Sequence, residues 1–249
     1  MAKKNIVLAG FHAVSARLRH SPGSIELVYI DSTRRDARMR ELRSRIEAAG
    51  VRLMSADAKR LDGLAGEIPH QGVVALATEI EAAMDLHDLL DSIRPDSLIL
   101  ILDGVTDPRN LGACLRVADA AGVQAVVAPR DRSAALTPAA LKAAAGAGET
   151  VPLVSVTNLA SAIVELKDAG VRVVGAAGEA RETLYDIDLT GPLAWVLGAE
   201  GEGMRRLTRE RCDQLASIPL AGHVESLNVS VAAGICLYEA VRQRRVTRR

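Results

Sequence analysis

The sequence predicts an α/β protein in two parts: a C-terminal parallel sheet with helices on both faces, and before it a small mixed α/β domain. Two observations carry this expectation. From residue 97 onward, continuous apolar runs such as Ser97-Leu-Ile-Leu-Ile-Leu102 alternate with helical segments, the pattern of strands buried on both faces of a parallel sheet. The charge is also divided unevenly. Residues 1–80 hold 13 Lys and Arg against 9 Asp and Glu, and the remainder hold 18 against 22, although the whole chain of 249 residues balances at 31 of each. Such a split points to parts with different partners. Residues 81–96 turn acidic and close on Pro95, so the expected division is a first domain at 1–80, a linker at 81–96 and a second domain at 97–249.

In the first part, Gly10 to Arg19 has helical character, with Val14 and Leu18 four apart. Glu26 to Ile30 reads as a strand between Pro22-Gly23 and Asp31-Ser32. Thr33 to Ala49 reads as an amphipathic helix ending at Gly50, with Met39, Leu42 and Ile46 on one face and Arg34, Arg35, Arg38, Arg40, Arg43 and Arg45 on the other. Val51 to Met54 and Gly72 to Thr78 read as further strands. In the second part, strands are expected at 97–102, 125–128, 151–156, 171–176, 193–197 and 215–220. Helices are expected at 110–121, 159–169 and 227–244, the last burying Leu227, Val231, Ile235 and Tyr238 on one stripe.

Several functions are disfavoured by composition. Apolar residues make up 49% and charged residues 25%, which is ordinary for a globular chain. The run Leu98 to Leu102 is too short to cross a bilayer, and Met1-Ala2-Lys3-Lys4 begins no signal peptide. Cys114, Cys212 and Cys236 are widely spaced and odd in number, which excludes a Cys-only zinc site and disfavours a disulfide framework. The five histidines are scattered, so no metal is expected. A soluble, cytoplasmic protein is the expectation. Aromatics, at 2%, are too few for a base-stacking sheet.

Three segments combine unusual residues with strand ends. Leu102-Asp-Gly-Val-Thr-Asp-Pro-Arg-Asn-Leu-Gly-Ala-Cys-Leu-Arg116 runs from a strand through a turn into a helix, with Asn110 at the expected N-cap and Arg116 two turns in. Val196-Leu-Gly-Ala-Glu-Gly-Glu-Gly-Met204 lets backbone approach a ligand. It lacks Rossmann and Walker spacing, and Glu200 and Glu202 would repel phosphate. Ser217 to Asn228 leads into the last helix, with Ser226 and Asn228 flanking its start. Taken singly, each segment is explained as a turn or a cap.

In order and context, Asn110-x5-Arg116, the Gly-x-Glu-Gly-x-Gly loop from Gly198 and Ser226-Leu-Asn-x-Ser resemble the three motifs of the SpoU/TrmH family of AdoMet-dependent RNA ribose 2'-O-methyltransferases, in the SPOUT superfamily. Gly10-Phe-His-Ala-Val14 and His70 to Ala75 resemble the start and end of the family's N-terminal substrate-binding domain. The stretches 102–115, 198–209 and 227–231 are similar to members that methylate a guanosine of 23S rRNA, in the peptidyl-transferase P loop. The resemblance implies a trefoil knot, an exception to unknotted topology. It also implies S-adenosyl-L-methionine held by knot loops containing Gly198, Ile218 and Leu227, with help from the loop Gly175 to Gly178, and a homodimer with the helix 227–244 as an interface element. It assigns Arg116 to activation of the 2'-hydroxyl, and Asn110, Glu200, Ser226 and Asn228 to orientation. A guanidinium is a poor base, so Arg116 could act equally by stabilising the developing alkoxide or gripping a phosphate. The arginine helix 34–45 and the tail Arg242, Arg244, Arg245, Arg248 and Arg249 are candidates for phosphate contact, and His12 reads as a structural residue. Two other functions stay open: a tRNA 2'-O-methyltransferase, and a catalytically silent RNA-binding assembly factor.

Overall fold

The computed structural model describes residues 5–66, 68–78 and 84–247. The chain forms two compact units, Met1–Glu81 and Ala82–Arg249. The expected boundary after residue 80, the first linker residues 81–83, the N-terminal four residues, Arg248 and Arg249 lie outside the described residues.

The N-terminal unit contains β1 (Asn5–Ala9), α1 (Phe11–His20), β2 (Ile25–Asp31), α2 (Ala37–Ala48), β3 (Leu53–Ala56), α3 (Ala58–Ala65) and β4 (Val73–Thr78). Its sheet has the order β1-β4-β2-β3. β4 pairs antiparallel with β1 and β2, and β2 pairs parallel with β3. Alternation along β2 serves two cores: Val28 and Ile30 pack with Phe11, Met39, Leu42 and Ile46, while Leu27 and Tyr29 pack with Leu61 and Val74. The arginine helix begins at Ala37, because the Asp36 carboxylate accepts from Met39 N–H and caps it there.

The second unit opens with α4 (Leu86–Asp91), in the stretch whose composition suggested a linker. A reciprocal cap between Asp85 and Asp88 starts it, and Leu89 is buried against the sheet beside Ile163 and Leu166. Then follow β5 (Leu98–Asp103), α5 (Pro108–Ala121), β6 (Ala125–Pro129), α6 (Pro138–Ala144), β7 (Leu153–Val156), α7 (Leu159–Asp168), β8 (Arg172–Ala176), β9 (Leu193–Gly198), α8 (Arg206–Arg211), β10 (Gln214–Ala216) and α9 (Val229–Thr247). The six strands lie in the order β10-β8-β9-β5-β6-β7, and all are parallel. β5 is buried on both faces: Leu98, Leu100 and Leu102 face the α5–α9 side, and Ile99 and Ile101 face α7 and α4.

Three expectations are corrected. Asn110 is not the cap of α5; Asp107 is, accepting from Arg109 N–H at 2.8 Å, with Pro108 next, where a missing N–H costs nothing. The last strand is shorter than 215–220, ending at Ala216. The stripe buried by α9 is Val229, Ala233, Cys236, Leu237 and Ala240, whereas Val231 and Tyr238 are 50% and 49% exposed. The helix lies close against α5, with Gly234 facing Val117, so small residues take the contact and the larger ones turn outward. The basic end of this helix is also committed in part. Arg242 pairs with Glu239, and Arg244 donates to the carbonyls of Asp96, Ser97 and Gly191.

Candidate active site

Parallel strands direct their carboxyl ends to one edge of the sheet, and ligand sites form there where the strand order reverses. β5 lies at that point, between β9 and β6. A cleft of about 400 Å3 opens at these ends, lined by the connections after β8, β9 and β10 and the start of α9. Gly198, Ile218 and Leu227 all line it, as do Ala176 and Gly178 of the loop after β8. A Cβ on Gly198 would stand 2.0 Å from the carbonyl carbon of Gly203 and 2.2 Å from Met204 N. Only glycine lets β9 end against the returning loop, which closes through paired bonds between Ala199 and Gly203.

The three motifs meet at Glu200. Its Oε1 accepts from Asn110 Nδ2 at 3.2 Å, from Asn228 Nδ2 at 2.5 Å and from Val229 N–H at 3.2 Å. Asn228 Nδ2 also reaches Asn110 Oδ1 at 3.0 Å, and Asn228 Oδ1 accepts from the N–H and hydroxyl of Ser230. The carboxylate therefore sits at the start of α9, where the helix dipole favours negative charge. This ties α5, the glycine loop and α9 together across 118 residues of sequence. Beneath it, burial first and Glu200 second push the Cys114 thiol up to about 12, so this cysteine is a packing residue and not a nucleophile.

Of the remaining predicted residues, Ser226 lines the cleft and is exposed. Arg116 is exposed and makes no hydrogen bond or ion pair with any described residue, so this single chain does not bring it to the Glu200 cluster. Sequence reading missed Asp103 and Arg205. The Asp103 carboxylate is buried at the end of β5 and accepts from Arg205 N–H at 2.8 Å, with the Arg205 guanidinium 3.6 Å from its other oxygen. A lone acid ending an apolar run was the available signal. Among the described residues, no group of three or more His, Cys, Asp or Glu is placed to hold a metal ion.

The chain thus combines a parallel α/β unit, whose glycine-walled cleft lies at the reversal point beside a carboxylate held by two asparagines, with a separately folded basic unit. Residues 97–238 match the SpoU rRNA methylase family, and residues 7–83 match the family described as RNA 2'-O ribose methyltransferase substrate binding. The chain belongs to the SpoU rRNA methylase family. It is 59% identical over 243 residues to the 23S rRNA (guanosine-2'-O-)-methyltransferase RlmB of Ralstonia nicotianae, covering 98% of each chain. The SpoU methyltransferase AviRb from Streptomyces viridochromogenes, in complex with AdoMet, superposes with a TM-score of 0.76 at 28% identity, over 98% of this chain and 91% of that one. The A. aeolicus TrmH/SpoU tRNA modifying enzyme gives 0.55 at 30% identity, covering 65% of this chain and 85% of its own.

Proposed function

We propose that the chain transfers a methyl group from S-adenosyl-L-methionine to the ribose 2'-hydroxyl of a guanosine in 23S rRNA, in the peptidyl-transferase P loop. The observation that carries this reading is the convergence of Asn110, Glu200 and Asn228 beside the cleft, in a chain that matches a 23S rRNA guanosine methyltransferase over 98% of its length. The shorter match to the tRNA-modifying enzyme disfavours a tRNA substrate. A silent assembly factor has no chemical need for the Glu200 network.

The cleft suits the methyl donor. Its lining combines apolar Leu197, Ile218 and Leu227 with the exposed acids Glu200, Glu202 and Glu225, which complement a cationic ligand, while Arg209, also in the lining, is paired with Glu179. AdoMet supplies a methyl group already activated by a positive sulfur. What this chain adds is alignment of the 2'-oxygen with the methyl carbon, so that the oxygen–carbon bond forms as the carbon–sulfur bond breaks, and stabilisation of that oxygen as its proton passes to solvent. Glu200, fixed by its donors, orients the start of α9, and Asn110, Ser226 and Asn228 position the ribose. Arg116 stabilises the developing 2'-alkoxide and holds the neighbouring phosphate. The segment after β10 passes close beside residues 182–184, with Ser217 N–H donating to Glu182 O and Leu184 N–H to Ser217 O, each at 2.9 Å. The trefoil knot of the SPOUT fold is part of the same reading.

A homodimer fits the same reading. Arg116 works at a cleft it does not touch within one chain. It lies one turn from Ala120, whose carbonyl accepts from Tyr238 on the exposed apolar side of α9. A second copy seated there covers Val231 and Tyr238 and brings a guanidinium to the cleft. An rRNA substrate places the enzyme in the cytoplasm. No helix among the described residues is long and apolar enough to cross a membrane. The test is methyl transfer from radiolabelled AdoMet to protein-free 23S rRNA and, separately, bulk tRNA. Label recovered as 2'-O-methylguanosine from 23S rRNA alone is expected; label in tRNA alone would replace this reading.

A further inference from the structure

Positive charge in the N-terminal unit concentrates where three connections meet. β1 turns through Gly10 into α1, β2 turns into α2, and residues 70–72 turn into β4. Gly10 N–H bonds to Val73 O and Asp31 N–H to Gly72 O, each at 2.9 Å. Gln71 has φ 51°, a left-handed conformation uncommon for a side-chain-bearing residue and one that clusters at functional sites. Its carbonyl accepts from Arg34 Nη1.

Phe11, 2% exposed, lies under two guanidinium groups. The Arg34 and Arg38 carbons stand 4.8 and 4.4 Å from its ring centroid. Arg34 is further held by Asp36 at 2.5 Å, and Arg38 Nη2 lies 3.1 Å from His12 Nε2. Asp36 is already shared between Arg34 and the cap of α2. Arg35 and Arg38 have no carboxylate within ion-pair reach among the described residues. Arg38 lies in the first turn of α2, whose acid is the capping Asp36, where the dipole disfavours positive charge, and Arg35 just precedes that cap. The other end of α2 shows the opposite arrangement, with Arg45 in the last turn and paired with Glu41 at 2.5 Å. α2 thus carries Arg45 in an ion pair near one end and, near the other, Arg38 without a carboxylate partner among the described residues. The Arg34 and Arg38 guanidiniums, fixed on one ring, lose little freedom when an anion arrives.

We propose that Arg34 and Arg38, backed by Phe11 and joined by His12 and the neighbouring Arg35, form the phosphate grip by which this unit holds its RNA. The proposal rests on the RNA methyltransferase reading above and gives it a binding surface. It narrows the expectation of a phosphate-contacting helix to that helix's first turn and the loop before it.

The experiment measures binding of the full chain to protein-free 23S rRNA across a salt series, alongside methyl transfer. Arg35→Gln/Arg38→Gln is expected to weaken RNA binding about tenfold and to lower the slope of log K against log salt by about 1–2. The KM for RNA should rise in parallel, with kcat and AdoMet binding unchanged. Arg35→Gln alone leaves the Phe11 stack intact and should shift both quantities the same way by less, so misfolding of the double variant would not protect the idea. Arg19→Gln, an exposed charge on α1, should change neither. RNA binding within twofold of wild type at an unchanged slope, or a fall in kcat alone, would overturn the grip. Loss of tRNA binding in the double variant, with 23S rRNA neither bound nor methylated by wild type, would uphold the grip and remove the rRNA reading instead.

Discussion

The two units treat charge in opposite ways. In the C-terminal unit the charged group at the site is matched internally: Glu200 collects donors from Asn110, Asn228 and Val229. In the N-terminal unit Arg38 is stacked on Phe11 and, like Arg35, has no carboxylate within ion-pair reach among the described residues. Matched charge fixes geometry, which chemistry requires. Unmatched charge awaits a polyanion, which recognition requires. The proposed roles divide positioning and gripping between the units, so variants in each should move different quantities.

The largest expected effect is at Arg116. Arg116→Ala should lower methyl transfer at least 10^3-fold while AdoMet binding by calorimetry stays within about twofold; retained turnover would remove Arg116 from the mechanism. Next is Glu200→Ala, which removes the acceptor of Asn110 Nδ2 and of the helix N–H of Val229, while Asn228 Nδ2 keeps Asn110 Oδ1. It should reduce kcat about 10–100-fold and cost about 1–3 kcal/mol in denaturant unfolding, with RNA binding unchanged. An equal loss of RNA binding would blur the division of labour.

Gly112→Ala tests scaffold against chemistry. The added Cβ would meet Ala140 O at 2.2 Å, so α5 and α6 must separate, at about 1–3 kcal/mol. Its effect on rate should follow its effect on Tm. The smallest expected effect is acid sensitivity. The Arg242 guanidinium, then Gln243, hold the Glu239 carboxyl below its usual range. A depressed carboxyl stabilises the fold above its unfolded value near 4.3, and the contribution disappears as pH falls through the folded value. Arg242→Gln should therefore slightly reduce stability above about pH 5 and leave it unchanged near pH 2, as read from unfolding at the two pH values.

The sheet was legible in the sequence because its strands are apolar runs flanked by turns, and β5, β6 and β9 fall within a residue or two of expectation. The short elements were not. α3, α6 and α8, of 8, 7 and 6 residues, span too few turns to show a period, and α4 was hidden by acidic composition although Leu89 anchors it. The stripe on α9 was misplaced because hydropathy favours Val231 and Tyr238, whereas packing against α5 selects small residues. At the site, Gly198, Ile218 and Leu227 were found through the resemblance and do line one cleft. The Glu200 network could not be read from spacing, since its members stand 28 to 118 residues apart. The Phe11 stack escaped for a related reason: the charges on α2 were visible, but the ring beneath them arrives from another element.

One measurement tests the division of labour most directly: the single-turnover rate of methyl transfer at saturating 23S rRNA, beside the Kd for that RNA, in Arg116→Ala and in Arg35→Gln/Arg38→Gln. Arg116→Ala should lose the rate and keep the Kd, and the arginine pair should weaken the Kd about tenfold and keep the saturated rate. If both variants lose the same quantity, grip and chemistry are not separated between the two units.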